Sequence, residues 1–154
     1  MSFYRVMTAI RDHLSGHPDI NVVTSGDYNA IDLNKQTIFS LAHIQPNAAT
    51  IREATIEYTF NIIVLDVVDF NKTNVKELDP DVYRGNDNLH DVWNTTLNVL
   101  NDLYLHARKG DLFDVECVVE QEPSVEPFDM RFENGLAGWS MTITFSLENG
   151  HAIC

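Results

Sequence analysis

Two histidines near the start of the chain are the first residues whose type and spacing could support chemistry. His13 and His17 are four residues apart, which places two imidazoles on one face of a helix, as some zinc sites do. Gly16 and Pro18 put His17 at the end of that helix, and no third ligand is close in sequence. We therefore expect surface histidines here and no bound metal.

A calcium site is the second possibility, raised by the acidic segment LDPDVYRGNDN. Asp79 and Asp81 alternate as the first ligands of a calcium-binding loop do. The next alternate position is Tyr83, and the closing glutamate of that pattern is missing. The segment therefore indicates a solvated acidic loop.

Nucleophilic catalysis finds little support in the sequence. It contains neither a glycine-rich phosphate loop nor a nucleophile elbow. Cys117 falls on the apolar face of a predicted strand, where a thiolate is disfavoured. Four further histidines are isolated in the sequence, namely His43, His90, His106 and His151. We expect no catalytic residue and no cofactor, although residues that meet only in the fold leave a small enzyme as an alternative.

The composition predicts one acidic globular domain over residues 1–154. Hydrophobic residues make up 44% of the chain and charged residues 21%, the balance of a globular protein. The net charge of −13 argues against a surface that grips nucleic acid, because such surfaces cluster Lys and Arg against phosphates. Two cysteines cannot build a disulfide framework, which favours a reducing compartment. No run approaches the ~20 apolar residues of a membrane span, and the first residues lack a signal-peptide core.

Apolar periodicity predicts two helices. Residues 2–15 repeat apolar positions every three or four residues, with Ser2 as the N-cap. From Leu89 to Ala107 an amphipathic stripe predicts a second helix, which Gly110 ends. The residues of this second helix expected in the core are Trp93, Leu97, Leu100 and Tyr104.

Period-two alternation predicts the strands. A short strand is expected at 20–24, then strands at 36–44 and 54–68 that pair as an antiparallel hairpin across QPNAAT. Residues 113–122 and 139–148 alternate as well. The order of elements favours an α+β fold, a mainly antiparallel sheet with two helices packed on one face. The strand residues expected beneath the second helix are Phe60, Ile62, Val115, Cys117, Met141, Ile143 and Phe145.

Two segments fall outside this pattern. A long loop at about 69–88 has no clear period, and loops of this length are often functional. An aromatic arm at about 125–138 places Phe128, Met130 and Phe132 among charged residues. Either this arm packs on its own sheet beside Trp139, or a neighbouring subunit covers one side of it.

The order of elements also resembles the core of restriction-type nucleases. In these nucleases the metal site is formed by an Asp on one strand and an acid-x-Lys pair on the next strand. The corresponding strand here reads Glu57-Tyr58-Thr59 and has no lysine. The chain therefore lacks a residue that the metal site of such a nuclease requires.

The final block EPFDMRFENGLAGWSMTITFSLENG resembles one in the tail-completion or tail-terminator proteins of tailed bacteriophages. In these small neck proteins an arm of the form Pro-Phe-x-x-Arg-Phe precedes Gly-Trp and a final alternating strand. The acidic loop before DNLHDVWNTTLNVLNDLY and the element order extend the resemblance over nearly the whole chain. It implies a structural virion protein that forms a homo-oligomeric ring of six or twelve subunits around the DNA channel at the head–tail junction. It also implies assembly in the host cytoplasm and no catalysis.

Partners and contacts follow from the same resemblance. The expected partners are other copies of the chain and the adjacent neck, connector and tail proteins, with no membrane. Phage DNA is expected to pass through without sequence-specific binding, and an acidic wall would let it slide. A non-catalytic adaptor domain, working as a monomer or dimer, is the alternative. The residues expected at the subunit interface are Phe128, Met130, Arg131 and Phe132 of the arm and Lys72, Lys76 and Arg84 of the loop.

Overall fold

A computed structural model describes residues 2–26, 40–67, 89–109, 117–119, 121–128 and 136–148. Within these residues the chain forms two helices, α1 (Ser2–Ser15) and α2 (Leu89–Lys109). The six strands are β1 (Val22–Ser25), β2 (Leu41–Ile51), β3 (Thr55–Val67), β4 (Cys117–Val119), β5 (Ser124–Phe128) and β6 (Leu136–Glu148). The predicted loop at 69–88 lies outside the described residues, and so do residues 129–135 of the predicted arm.

The strands form one mixed sheet built around β3 and β6. Strand β3 pairs antiparallel with β2 on one side and with β6 on the other. The far side of β6 is covered by two short antiparallel strands, β4 along its C-terminal half and β5 along its N-terminal half. This confirms the predicted α+β class and the predicted hairpin of β2 and β3. Strand β1 is the exception, because it pairs parallel with the start of β2.

Both helices pack on one face of the sheet, as predicted. Alternation along β3 and β6 turns one apolar row of each strand toward the helices. The periodic apolar positions of α1 and α2 close over these rows and bury them. The largest side chains of this main core are Ile10 and Leu14 of α1, Leu100 and Leu103 of α2, and Phe60, Ile62, Met141 and Phe145 of the sheet.

A second apolar cluster lies on the opposite face of the sheet. Ile63 and Leu65 of β3 point away from the helices because they alternate with Ile62 and Val64, and all four are buried. A continuous apolar run such as that from Ile62 to Leu65 is typical of a strand covered on both faces. The members of the second cluster are Leu41, Ile63, Leu65, Phe128 and Leu136.

Strand β2 is longer than predicted. The sequence placed the end of this strand at Ile44 and a separating segment after it, but β2 continues to Ile51. The register with β3 shifts between Pro46 and Ala48, where a β-bulge forms. The segment QPNAAT, predicted to separate the two strands, is therefore part of β2, and a bulge on a sheet edge accommodates Pro46 because no ladder hydrogen bond is needed there.

The phase of α2 corrects one predicted core residue. Leu97 is 37% exposed, whereas Thr96 and Leu100 are buried. Consecutive residues of a helix point about 100° apart, so a stripe centred on Thr96 and Leu100 carries Leu97 out of the core. Val99 takes the predicted place of Leu97 in the main core.

This correction leads to a prediction about stability. Leu103→Ala should lower the free energy of unfolding by about 2–5 kcal/mol, because Leu103 is fully buried against the sheet. Leu97→Ala removes the same atoms from an exposed position and should change it by less than about 1 kcal/mol. Urea denaturation followed by circular dichroism measures both. Equal losses would show that α2 is rotated relative to its described position.

Candidate functional site

Of the seven predicted interface residues, one lies within the described part of the chain. That residue is Phe128, the last residue of β5. The others lie outside the described residues, and their interface role stays a prediction: Lys72, Lys76, Arg84, Met130, Arg131 and Phe132.

Phe128 is buried within its own chain. Only 6% of it is exposed, and it belongs to the second apolar cluster together with Leu65 and Leu136. Its strand pairs with β6, so that Phe128 lies opposite Gly138. Phe128 therefore packs on its own sheet, as in the first alternative for the arm, and its role at a subunit contact stays a prediction.

Two tryptophans fasten this edge of the sheet to α2. The Trp93 indole Nε1–H donates a hydrogen bond of 3.0 Å to the Phe128 carbonyl oxygen. The Trp139 indole Nε1–H donates one of 2.9 Å to the Trp93 carbonyl oxygen. Both tryptophans are half-buried, and their ring centroids are 6.5 Å apart. The described start of the predicted arm, which ends at Phe128, is thus attached to α2 of the same chain.

A cluster of histidines around one carboxylate forms where the end of α1 meets α2. The Asp102 carboxylate lies 3.2 Å from His13 Nε2 and 3.9 Å from His17 Nε2. Its other oxygen is 3.4 Å from His106 Nδ1. The rings of His13 and His106 face each other with centroids 4.8 Å apart. These residues line an open cleft of about 700 Å³.

The hydrogen bonds fix the proton positions on two of these rings. His106 Nδ1 is 2.9 Å from the Asp102 carbonyl oxygen, which can only accept, so Nδ1 carries the proton and Nε2 keeps its lone pair. The Asp19 backbone N–H donates to His17 Nδ1 at 3.1 Å, so a neutral His17 carries its proton on Nε2. His17 can therefore donate toward Asp102, while His106 presents an acceptor nitrogen.

His13 Nε2 is the unsatisfied atom of the cluster. It is buried and lies 3.2 Å from the Asp102 carboxylate, but the pair does not meet the geometry of a hydrogen bond. Burial lowers the pKa of His13, and the Asp102 carboxylate opposes this shift without cancelling it. At neutral pH the ring is therefore uncharged.

Sequence reasoning identified half of this cluster. It selected His13 and His17 by their spacing but treated His106 as isolated, and it did not consider Asp102. Asp102 and His106 show the same separation of four residues on α2. The available signal was therefore one pair of possible ligands on each of two helices that pack on the same sheet face. Whether the two pairs meet depends on how α1 and α2 pack.

His43, another histidine that is isolated in the sequence, has a structural role. It is fully buried, and its Nε2–H donates to the Gly26 carbonyl oxygen at 2.8 Å. The Thr24 hydroxyl lies 2.7 Å from its Nδ1 and donates to it. His43 therefore joins β1 and the residue after it to β2.

An apolar surface surrounds the outer end of the β2–β3 hairpin. Ile51 is 77% exposed and Tyr4 is 67% exposed. The Phe3 ring lies 6.0 Å from the Tyr58 ring, and a depression of about 300 Å³ separates Phe3 from residues 46–49 of β2. No described strand pairs with the outer side of β2 beyond Ile44. This edge of the sheet combines open backbone groups with exposed apolar side chains.

Neither described helix combines the length and the apolar composition needed to cross a membrane. Comparison with known proteins adds no relative: no family model matches the chain, and no curated protein matches it.

Proposed function

We propose that this protein is a structural subunit of a tailed-bacteriophage virion, which forms a homo-oligomeric ring at the head–tail junction around the DNA channel. The proposal begins from the resemblance of residues 126–150 to the arm and final strand of small phage neck proteins. In the fold, the matching strand is β6, which pairs with β3, β4 and β5. The block that carries the resemblance is therefore also central to the sheet.

The observation that carries the ring assembly is the open edge of β2. Residues 46–51 are exposed, and among the described strands none covers their outer side. An edge of unpaired N–H and C=O groups can accept a strand of another chain. The bulge at Pro46 limits this pairing to the end of the strand, from Ala48 to Ile51.

The opposite edge of the sheet offers a second surface. It is formed by β4 and β5, and Val118 of β4 is 60% exposed there. Contacts between two different surfaces of identical subunits run head to tail, and such contacts close into rings when the rotation allows it. A sheet with one open edge at each end meets this requirement.

The charge of the chain supports the DNA-channel part of the proposal. With 23 acidic and 10 basic residues, the subunit would line a channel with negative potential. Such a wall repels the phosphate backbone and lets DNA move without sequence-specific contacts. The adjacent connector and tail proteins would then bind the two faces of the ring.

Measurement of particle size tests the ring directly. Native mass spectrometry of the purified chain should give six or twelve copies, and negative-stain electron microscopy should show rings with a central hole. Purified particles of the phage that encodes the chain should contain it in a multiple of six. A monomer or dimer at all concentrations would favour the adaptor alternative and overturn the ring.

A single charged residue on the open edge should weaken assembly. Ala49→Glu should weaken association roughly tenfold or more, because a like charge placed in a contact costs more than about 1.4 kcal/mol. The matched control is Asn94→Glu, which adds the same charge at an exposed position of α2. Sedimentation of both variants compares them. Rings of Ala49→Glu as stable as those of the control would place the contact elsewhere.

A further inference from the structure

We propose that His13, Asp102 and His106 bind a zinc ion that fastens α1 to α2. Each of these residues offers a ligand atom, and the three atoms lie within 4.8 Å of one another. Two imidazole nitrogens and a carboxylate oxygen are common zinc ligands, and a water molecule can complete a tetrahedral site. The proposal departs from the expectation of no metal, which was based on the absence of a third ligand near His13 and His17 in sequence.

The position of His13 is the first argument for a cation. Its Nε2 is buried without a hydrogen-bond partner, 3.2 Å from Asp102 Oδ2. In the tautomer that leaves Nε2 unprotonated, its lone pair is repelled by the carboxylate at this distance, and a cation between the two atoms removes the repulsion. A zinc ion at its usual ~2.1 Å from both atoms would subtend about 100° between them, close to the tetrahedral angle. The pair is thus already spaced as two ligands of one ion.

His106 supplies the second argument. Its Nδ1–H donates to the Asp102 carbonyl oxygen, so the neutral ring keeps the Nε2 lone pair available for a metal. In zinc sites, a ligand histidine commonly donates its other N–H to a backbone carbonyl or a carboxylate, which fixes its tautomer and orientation. His106 already makes this hydrogen bond, through Nδ1, to the Asp102 carbonyl oxygen.

His17 acts as a positioning residue in this site and not as a ligand. Because its Nδ1 accepts the Asp19 N–H, its neutral ring carries a proton on Nε2, 3.9 Å from Asp102 Oδ2. A protonated nitrogen cannot bind zinc, but at this distance its N–H attracts the Asp102 carboxylate without a hydrogen bond. The cleft of about 700 Å³ leaves the cluster open for the ion to enter.

The test uses the full chain, freed of metal with a chelator and then titrated with zinc in a calorimeter. We expect one equivalent to bind and the thermal midpoint to rise with zinc concentration, because an ion that binds only the folded state stabilises it. Cobalt(II) in place of zinc should give the strong visible absorption of a tetrahedral ion. His13→Ala and Asp102→Asn should each abolish this site, whereas His17→Ala should weaken it only ~10-fold.

The control is His90→Ala, which removes a histidine from the same helix but outside the cluster and should bind one equivalent normally. Asp102→Asn keeps the shape of the side chain, so its metal-free thermal midpoint verifies that loss of binding is not loss of folding. Absence of binding by the wild-type chain would overturn the site. Binding that persists in both His13→Ala and Asp102→Asn would also overturn it, since the zinc would then be held by the acidic surface.

Discussion

Gly138→Ala is expected to lower the free energy of unfolding by about 3 kcal/mol or more. This is the upper end of the range found when a side chain is enlarged in a packed core. An added Cβ would collide with the Val64 carbonyl oxygen and would lie 2.9 Å from Leu65 Cα. Both are backbone atoms of β3, the strand paired with β6 at this point. A side chain could rotate away, but here the central pair of strands would have to separate.

The midpoint of urea denaturation measures this effect, and Gly16→Ala provides the matched control. Gly16 follows α1, and a Cβ added at this position would lie 3.3 Å from its nearest neighbour, the Asp12 carbonyl oxygen. This substitution should change stability by less than about 1 kcal/mol. If Gly138→Ala unfolds at the same urea concentration as the wild-type chain, the close approach of β3 and β6 is wrong.

The same glycine shows what the sequence could and could not predict. The predicted strand at 139–148 left Gly138 outside it, at the end of the arm at about 125–138. Gly138 lies instead inside β6, where it pairs with Leu65 of β3 on one side and with Phe128 of β5 on the other. Close approach between strands distant in sequence leaves no periodic signal, so a glycine required for packing looks like one required for a turn.

The elements themselves were predictable because their periodicity is strong. The alternation of Met141, Ile143 and Phe145 in β6 and the continuous run from Ile62 to Leu65 in β3 both indicate burial correctly. The phase of α2 was predicted wrongly at Leu97, since Thr96 is a polar residue in the core and Leu97 an apolar residue outside it. The buried Thr96 hydroxyl donates a hydrogen bond of 2.7 Å to the Val92 carbonyl oxygen of the same helix, so its burial leaves no unsatisfied hydroxyl group.

The candidate sites were harder to predict, because both depend on pairs of distant segments. The histidine cluster requires the end of α1 to lie on the last turns of α2, and the spacing of Asp102 and His106 does not by itself show that α1 lies there. The open edge of β2 depends on the strand continuing through Pro46, which sequence rules discourage. Each site lies where tertiary packing overrides a local preference.

Phe128→Ala is expected to lower the free energy of unfolding by about 3–5 kcal/mol, the range for removing a buried aromatic ring. Phe128 is 6% exposed and belongs to the second apolar cluster, on a strand that pairs with β6 at Gly138. Its loss would open a cavity against Leu65 and Leu136 and weaken the attachment of β5 to β6. Thermal and urea denaturation of the variant measure the change.

Glu126→Ala is the control for Phe128→Ala, because it alters an exposed residue of the same strand and should shift stability by no more than about 0.5 kcal/mol. The comparison also separates the two interpretations of the arm. Loss of stability in Phe128→Ala means that β5 completes its own sheet, and that a subunit contact must use the open edge of β2 or residues beyond Phe128. An unchanged denaturation midpoint with failed assembly would instead return Phe128 to the interface, because only a neighbouring subunit could then supply the contacts that the ring needs.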